Sequence, residues 1–189
     1  KHGLLGKTVV LFVGNLQPFK GIQVLIDAMA GIEDKDIVAV IVGGGYAEEQ
    51  YRKDVSDRKL NDKVIFAGPQ TPSGDLPDYY RTADFLVLPS THSESFGLVV
   101  LESFASGKPA IVSALPGPAA IVDAGKDGLI AEVGDADSLR SQILALHQNS
   151  TLKEQMGMAA LKKAREKYTW EAVARTLEEA FYQIKGAKI

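Results

Sequence analysis

Six short apolar runs alternate with helix-patterned segments along most of this 189-residue chain, and that alternation limits the fold more than any other feature. The runs occupy residues 8–13, 37–42, 63–67, 84–88 and 109–113, with a short sixth at 129–133. Nearly continuous apolar character, without polar alternation, marks strands buried on both faces. Helical patterns fill the gaps at 21–30, 47–59, 76–82, 98–106, 118–124 and 136–147. Strand, helix and strand in succession build βαβ units, and right-handed crossovers place their helices on both faces of a parallel sheet. The sequence thus predicts one α/β domain over residues 1–189, a Rossmann-like doubly wound parallel sheet of about six strands. Beyond Asn149 only helical pattern remains, at 151–167 and 169–185, as C-terminal helices that cover the sheet or project from it.

Bulk composition excludes several functions. Net charge is -3 with no long basic run, which argues against a nucleic-acid partner. The absence of cysteine removes disulfides, thiolate catalysis and zinc–thiolate sites, and fits a reducing compartment. No apolar run reaches the roughly 18 residues of a membrane span, and no signal-peptide pattern precedes the first strand. The expectation is a cytoplasmic protein.

In a doubly wound sheet, ligands bind at the carboxyl ends of the strands. The fourth run leads through Pro89-Ser90-Thr91-His92-Ser93 into Glu94-Ser-Phe-Gly-Leu-Val-Val-Leu-Glu102. Glu94 falls in a strand-to-helix loop, and Glu102 more than one turn inside the helix. At about 1.5 Å rise per residue, the two carboxylates are separated by up to roughly 12 Å. Between them lie the amides of a helix N-terminus, which favour an anion. Val99, Val100, Leu101 and Phe104 make this helix largely apolar, so Glu102 requires a partner, which a ribose diol would supply. Against this stands the plain alternative of a solvated glutamate on a helix face.

The other strand exits carry weaker signals. The first is Gly14-Asn15-Leu16-Gln17-Pro18-Phe19-Lys20-Gly21, where Gly14 permits close backbone approach and Lys20 offers a point charge to a phosphate. It is not a Walker A loop, because Phe19 stands where glycine is needed and Gly-Lys is reversed; a solvated loop lysine is the alternative. Gly43-Gly44-Gly45 after the second run fails as a dinucleotide fingerprint, since the third glycine would fall on Glu48. Gly68-Pro69-Gln70 reads as a turn at the ligand edge. His92 lacks the partners of a catalytic triad or a metal site, and His2 and His147 lie away from every candidate position.

Together these segments resemble the nucleotide-sugar-binding half of retaining glycosyltransferases of the GT-B type, family 4 (glycosyl transferases group 1). The resemblance runs in order through Gly14-x-Leu16-x-Pro18-x-Lys20-Gly21, Ile41-Val42-Gly43-x-Gly45, Phe66-x-Gly68, Tyr80-x-x-Ala83-Asp84, Leu88-Pro89-Ser90 and Gly107-x-Pro109. Its core is Glu94-x-Phe96-Gly97-Leu98-x-x-x-Glu102, similar to the family's E-x7-E element, followed by Gly125-x-x-Gly128-Leu129 and Tyr168-Thr169-Trp170-Glu171.

That resemblance implies roles. Lys20 and Glu94 would be the catalytic pair, Lys20 on the donor diphosphate and Glu94 on the donor-sugar hydroxyls. The amides of Phe96 and Gly97 would meet the sugar, and those of Leu98 and Val99 the phosphate. Gly14 and Asn15 would line the phosphate site, Glu102 would take the ribose, and Gly68, Pro69 and Gln70 would border the base. The donor would be a UDP, GDP or ADP sugar, used with retention of configuration and without metal or cofactor. An acceptor-binding domain would precede this chain, handling a sugar, lipid or other small molecule with peripheral membrane association, and the isolated donor half would be inactive. Two departures stand out: Asn15 replaces the family's usual arginine, and Ala120 replaces a common acid. They motivate an alternative reading as a non-catalytic binding or interaction module. A sugar-nucleotide epimerase and an NAD oxidoreductase fit the motifs less well.

Overall fold

The computed structural model describes residues 4–92 and 94–186; His2 and Ser93 lie outside them. Six parallel strands form one sheet in the order β3-β2-β1-β4-β5-β6. They are β1 (Thr8–Val13), β2 (Ile37–Val42), β3 (Val64–Gly68), β4 (Phe85–Leu88), β5 (Ala110–Ser113) and β6 (Gly128–Ala131). The helices are α1 (Ile22–Ala30), α2 (Glu48–Asp57), α3 (Leu76–Thr82), α4 (Leu98–Ala105), α5 (Pro116–Ile121), α6 (Ala136–Gln148), α7 (Ser150–Lys167) and α8 (Trp170–Gly186).

Alternate side chains of each strand feed two cores, as the two-residue period of a strand requires. Val10 and Phe12 pack with Leu25 and Ile26 of α1, Tyr51 of α2 and Ile143 of α6. Val9 and Leu11 pack on the other face with Tyr80 of α3, Val100 and Phe104 of α4, Ile121 of α5 and Ala160 of α7. This is the predicted Rossmann-like, doubly wound arrangement. Its strand order reverses between β1 and β4, so the crevice of the fold opens at the carboxyl ends of these two strands.

Several predicted boundaries move for local reasons. The helix predicted at 47–59 ends at Asp57, because Lys59 turns left-handed (φ 58°) and the Leu60 amide donates back to Val55 O. The helix predicted at 118–124 spans Pro116–Ile121 instead, with proline at its first position and the Asp123 amide taken by the Asp127 carboxylate. The strand predicted at 129–133 is Gly128–Ala131, since the Glu132 amide leaves the ladder for Ser138 Oγ. A 3-10 turn at Pro18–Lys20 was not anticipated.

The two C-terminal helices divide the alternatives between them. α7 lies on the sheet and is anchored by Lys163, whose ammonium reaches Ile121 O at 2.8 Å, Asp123 at 2.9 Å and the buried Asp127. Burial pulls the lysine pKa down, but the two carboxylates outweigh it and hold the group above its usual value. α8 projects, with Trp170, Leu177, Phe181 and Ile184 exposed along it.

Candidate binding site at the strand switch point

Two loops meet at the crevice. β1 exits through Gly14 and Asn15 into the 3-10 turn ending at Lys20; β4 exits through Pro89, Ser90 and Thr91. The Thr91 amide donates to Phe19 O at 2.8 Å, joining the loops. Gly21 makes that approach possible: its φ is 74°, and a Cβ there would stand 1.8 Å from Pro89 O.

This junction sets Lys20 Nζ 2.7 Å from Glu94 Oε2, and Ser90 Oγ donates to the same carboxylate oxygen at 3.1 Å. The two side chains are 22% and 11% exposed, so Lys20 is not a solvated loop lysine. A half-shielded ammonium against a carboxylate at the switch point can exchange that partner for a phosphate, and the carboxylate can accept from hydroxyls.

α4 starts beside this pair, immediately after Gly97. Among the described residues no side chain caps its N-terminus, and its first turn carries no acid. The amides of Leu98 and Val99 have no intrahelical acceptor by position. Phe96 and Leu98, on either side of the buried Gly97, are 42% and 66% exposed. With Lys20 the helix start forms a region where negative charge is favoured.

Glu102 corrects the expectation placed on it. It is exposed rather than embedded, and its partner is internal: Tyr80 of α3 donates its hydroxyl to Oε2 at 2.5 Å. Burial, then the adjacent carboxylate, push the Tyr80 phenol far above its ordinary range, so it stays a proton donor.

The remaining strand exits border the same edge. A Cβ on Gly43 would lie 1.9 Å from Gly14 O and one on Gly45 2.5 Å from Leu16 O, so this turn packs directly on the first loop. The Gly43 amide donates to Gly68 O at 3.0 Å, which places Gly68, Pro69 and Gln70 one strand further along. Gln70 folds back, its amide donating to Ala67 O at 3.1 Å, while Pro69 and Asn15 are exposed. Ala120 is exposed on α5. His92 contacts Thr91 Oγ1 at 3.1 Å and the Phe19 ring at 5.8 Å, a loop contact without an acid. His147 sits at the amino end of β1 between Thr8 and Asp34, away from the site as expected.

Sequence reading missed Ser90 and gave Tyr80 no site role. Ser90 is fully buried directly after an apolar strand, which is itself a signal, because a buried hydroxyl must find a partner. Among the described residues, no three His, Cys, Asp or Glu side chains group closely enough to hold a metal ion.

Comparison with known proteins agrees with this fold. The family described as Glycosyl transferases group 1 matches residues 1–163. D-inositol 3-phosphate glycosyltransferase of Corynebacterium glutamicum (strain R) is 35% identical over 181 residues, covering 92% of this chain and 43% of its own length. The Anabaena protein Alr3699/HepE, solved in complex with UDP, superposes with a TM-score of 0.86 at 24% identity, covering 96% of this chain and 50% of that one. The C-terminal domain of a glycosyl transferase group 1 family protein (LpcC) from Francisella tularensis superposes with a TM-score of 0.80 at 24% identity, covering 87% and 88%. The chain thus spans less than half the length of its Corynebacterium relative.

Proposed function

The chain belongs to the glycosyl transferases group 1 family, and we propose that it is the half of such an enzyme that binds the nucleoside diphosphate sugar. The observation that carries this reading is the Lys20–Glu94 pair beside the start of α4. One group suits a diphosphate, the other suits sugar hydroxyls, and the helix amides beside them suit the phosphates.

In this reading Lys20 leaves Glu94 for a phosphate oxygen when donor enters. Glu94 then accepts from the sugar hydroxyls, with the amides of Phe96 and Gly97 donating to that sugar. As the bond from the anomeric carbon to the diphosphate breaks, its electron pair passes to the phosphate oxygen. Lys20 and the amides of Leu98 and Val99 stabilise the charge that develops there, so the lysine and the helix dipole serve where a metal would otherwise be needed. Gly14 and Asn15 line the phosphates, Glu102 takes the ribose hydroxyls, and Gly68, Pro69 and Gln70 border the base. A hydroxyl of the acceptor, a sugar, lipid or other small molecule, attacks the same face and passes its proton to the departing phosphate oxygen, giving retention; the acceptor is bound by a part of the protein outside this chain.

The test is calorimetric titration of the chain with UDP, GDP and ADP, UDP first because the Anabaena protein was solved with it. One of the three should bind with unit stoichiometry, and Glu102→Ala should weaken it. Absence of binding by all three at millimolar concentration contradicts the reading.

A further inference from the structure

Glu102 is an exposed residue on the second turn of α4, and an exposed glutamate ordinarily samples many rotamers. Ordering such a side chain costs conformational entropy. Here it is already ordered by Tyr80. The Tyr80 ring is 3% exposed, packed in the core with Leu76, Ala83, Val100 and Phe104, so its hydroxyl has a fixed position. That hydroxyl donates to one carboxylate oxygen of Glu102, Oε2. A phenol–carboxylate hydrogen bond is charge-assisted and ties the carboxylate to that fixed hydroxyl.

We propose that Tyr80 is a positioning residue of the nucleotide site: by holding Oε2 of Glu102 it fixes the carboxylate so that Oε1 accepts from the ribose diol of a bound nucleotide. This deepens the reading given above and rests on its assignment of Glu102 to the ribose. The gain is preorganisation: the nucleotide meets an acceptor that has already lost its freedom. α3 enters the crevice side from the β3 exit, and α4 from the β4 exit. One hydrogen bond therefore ties the ribose contact to the element that follows Gly68, Pro69 and Gln70.

A tyrosine that merely satisfies its own buried hydroxyl on the nearest carboxylate would leave ligand discrimination alone. The experiment therefore reads discrimination. Dissociation constants for UDP and 2′,3′-dideoxy-UDP are measured by calorimetry on the wild-type chain, Tyr80→Phe, Glu102→Ala and the double variant, with GDP and its dideoxy form in parallel. Wild type should favour the ribonucleotide by about tenfold or more, the worth of hydrogen bonds to a charged acceptor. In Tyr80→Phe that ratio should fall to within about threefold, with dideoxy affinity nearly unchanged. Removing Tyr80 on top of Glu102→Ala should alter the ratio no further, which keeps the test decisive if the single variant loses stability. Tyr51→Phe, a buried phenol on the opposite face, should leave the ratio intact.

A wild-type chain that binds both forms equally overturns the ribose assignment, and the role of Tyr80 with it. A wild-type preference that persists in Tyr80→Phe, or equal losses for both ligands in that variant, overturns the role of Tyr80 alone.

Discussion

Lys20 Nζ and Glu94 Oε2 lie 74 residues apart in sequence and 2.7 Å apart in space, where the exits of β1 and β4 cross. The contact depends on two backbone events, the hydrogen bond from the Thr91 amide to Phe19 O and the packing of Gly21 on Pro89. A cation and an acceptor are thereby placed beside a helix N-terminus.

Lys20→Ala should cost diphosphate affinity and spare the nucleoside. Loss of a hydrogen bond to a charged group is worth about 1.5–3 kcal/mol, or roughly ten- to a hundredfold in the dissociation constant. Calorimetry with UDP against uridine, and GDP against guanosine, checks this. Equal losses for nucleoside and diphosphate would refute the role given to Lys20.

Gly21→Ala should destabilise the chain at the junction that sets Lys20 against Glu94. A left-handed alanine costs about 1–2 kcal/mol, and its Cβ would also drive into the Pro89 carbonyl. Since about 1 kcal/mol shifts the melting temperature by roughly 2–4 °C in a chain of this size, a fall of at least about 4 °C is expected in thermal denaturation. A melting temperature within a degree of wild type would show that the loops do not need this approach.

Lys163→Met should be among the most damaging substitutions away from the crevice. It strands the Asp127 carboxylate, which is 0% exposed, and breaking one partner from a buried pair costs about 3–5 kcal/mol. Adding Asp127→Asn should recover part of the loss, as denaturant unfolding will report.

The same cluster gives a pH dependence. The side-chain hydrogen bond from Lys163, set against a smaller opposing effect of burial, holds the Asp123 carboxyl below its usual value of 3.8. A depressed folded-state pKa stabilises above the unfolded value and loses that contribution as pH falls through the folded one. Thermal stability should therefore drop as pH is lowered below about 4, and less steeply in Asp123→Asn. Identical acid profiles for the two proteins would remove Asp123 from the account.

Asn15→Arg should tighten UDP or GDP roughly fivefold or more, because a charged donor replaces a neutral one at the rim of the phosphate region. The gain should shrink with added salt. No change in affinity would mean that position 15 does not face the diphosphate.

The six strands and the helices between them were legible because each is written locally. A strand buried on both faces reads as a continuous apolar run, and 8–13 and 37–42 match the observed strands residue for residue. The displaced ends were not local. Where α2 stops depends on the left-handed Lys59, and where β6 stops depends on Ser138, six residues beyond Glu132. In the crevice, spacing identified Lys20 and Glu94 separately. Their contact required knowing that β4 lies beside β1, which follows from strand order and not from either motif. Glu102 shows the same limit: its apolar neighbours suggested an embedded carboxylate, whereas it is exposed and bonded by Tyr80, 22 residues earlier on another helix.

The central claim, that a nucleoside diphosphate occupies the junction of Lys20, Glu94 and the start of α4, is tested most directly by amide nuclear magnetic resonance of the labelled chain titrated with UDP, GDP and ADP. The account predicts saturable shifts concentrated on Gly14, Asn15, Phe96, Gly97, Leu98 and Val99, with at least one of the three nucleotides. Shifts confined to other surfaces, such as the exposed face of α8, or no shifts with any of the three, would contradict it.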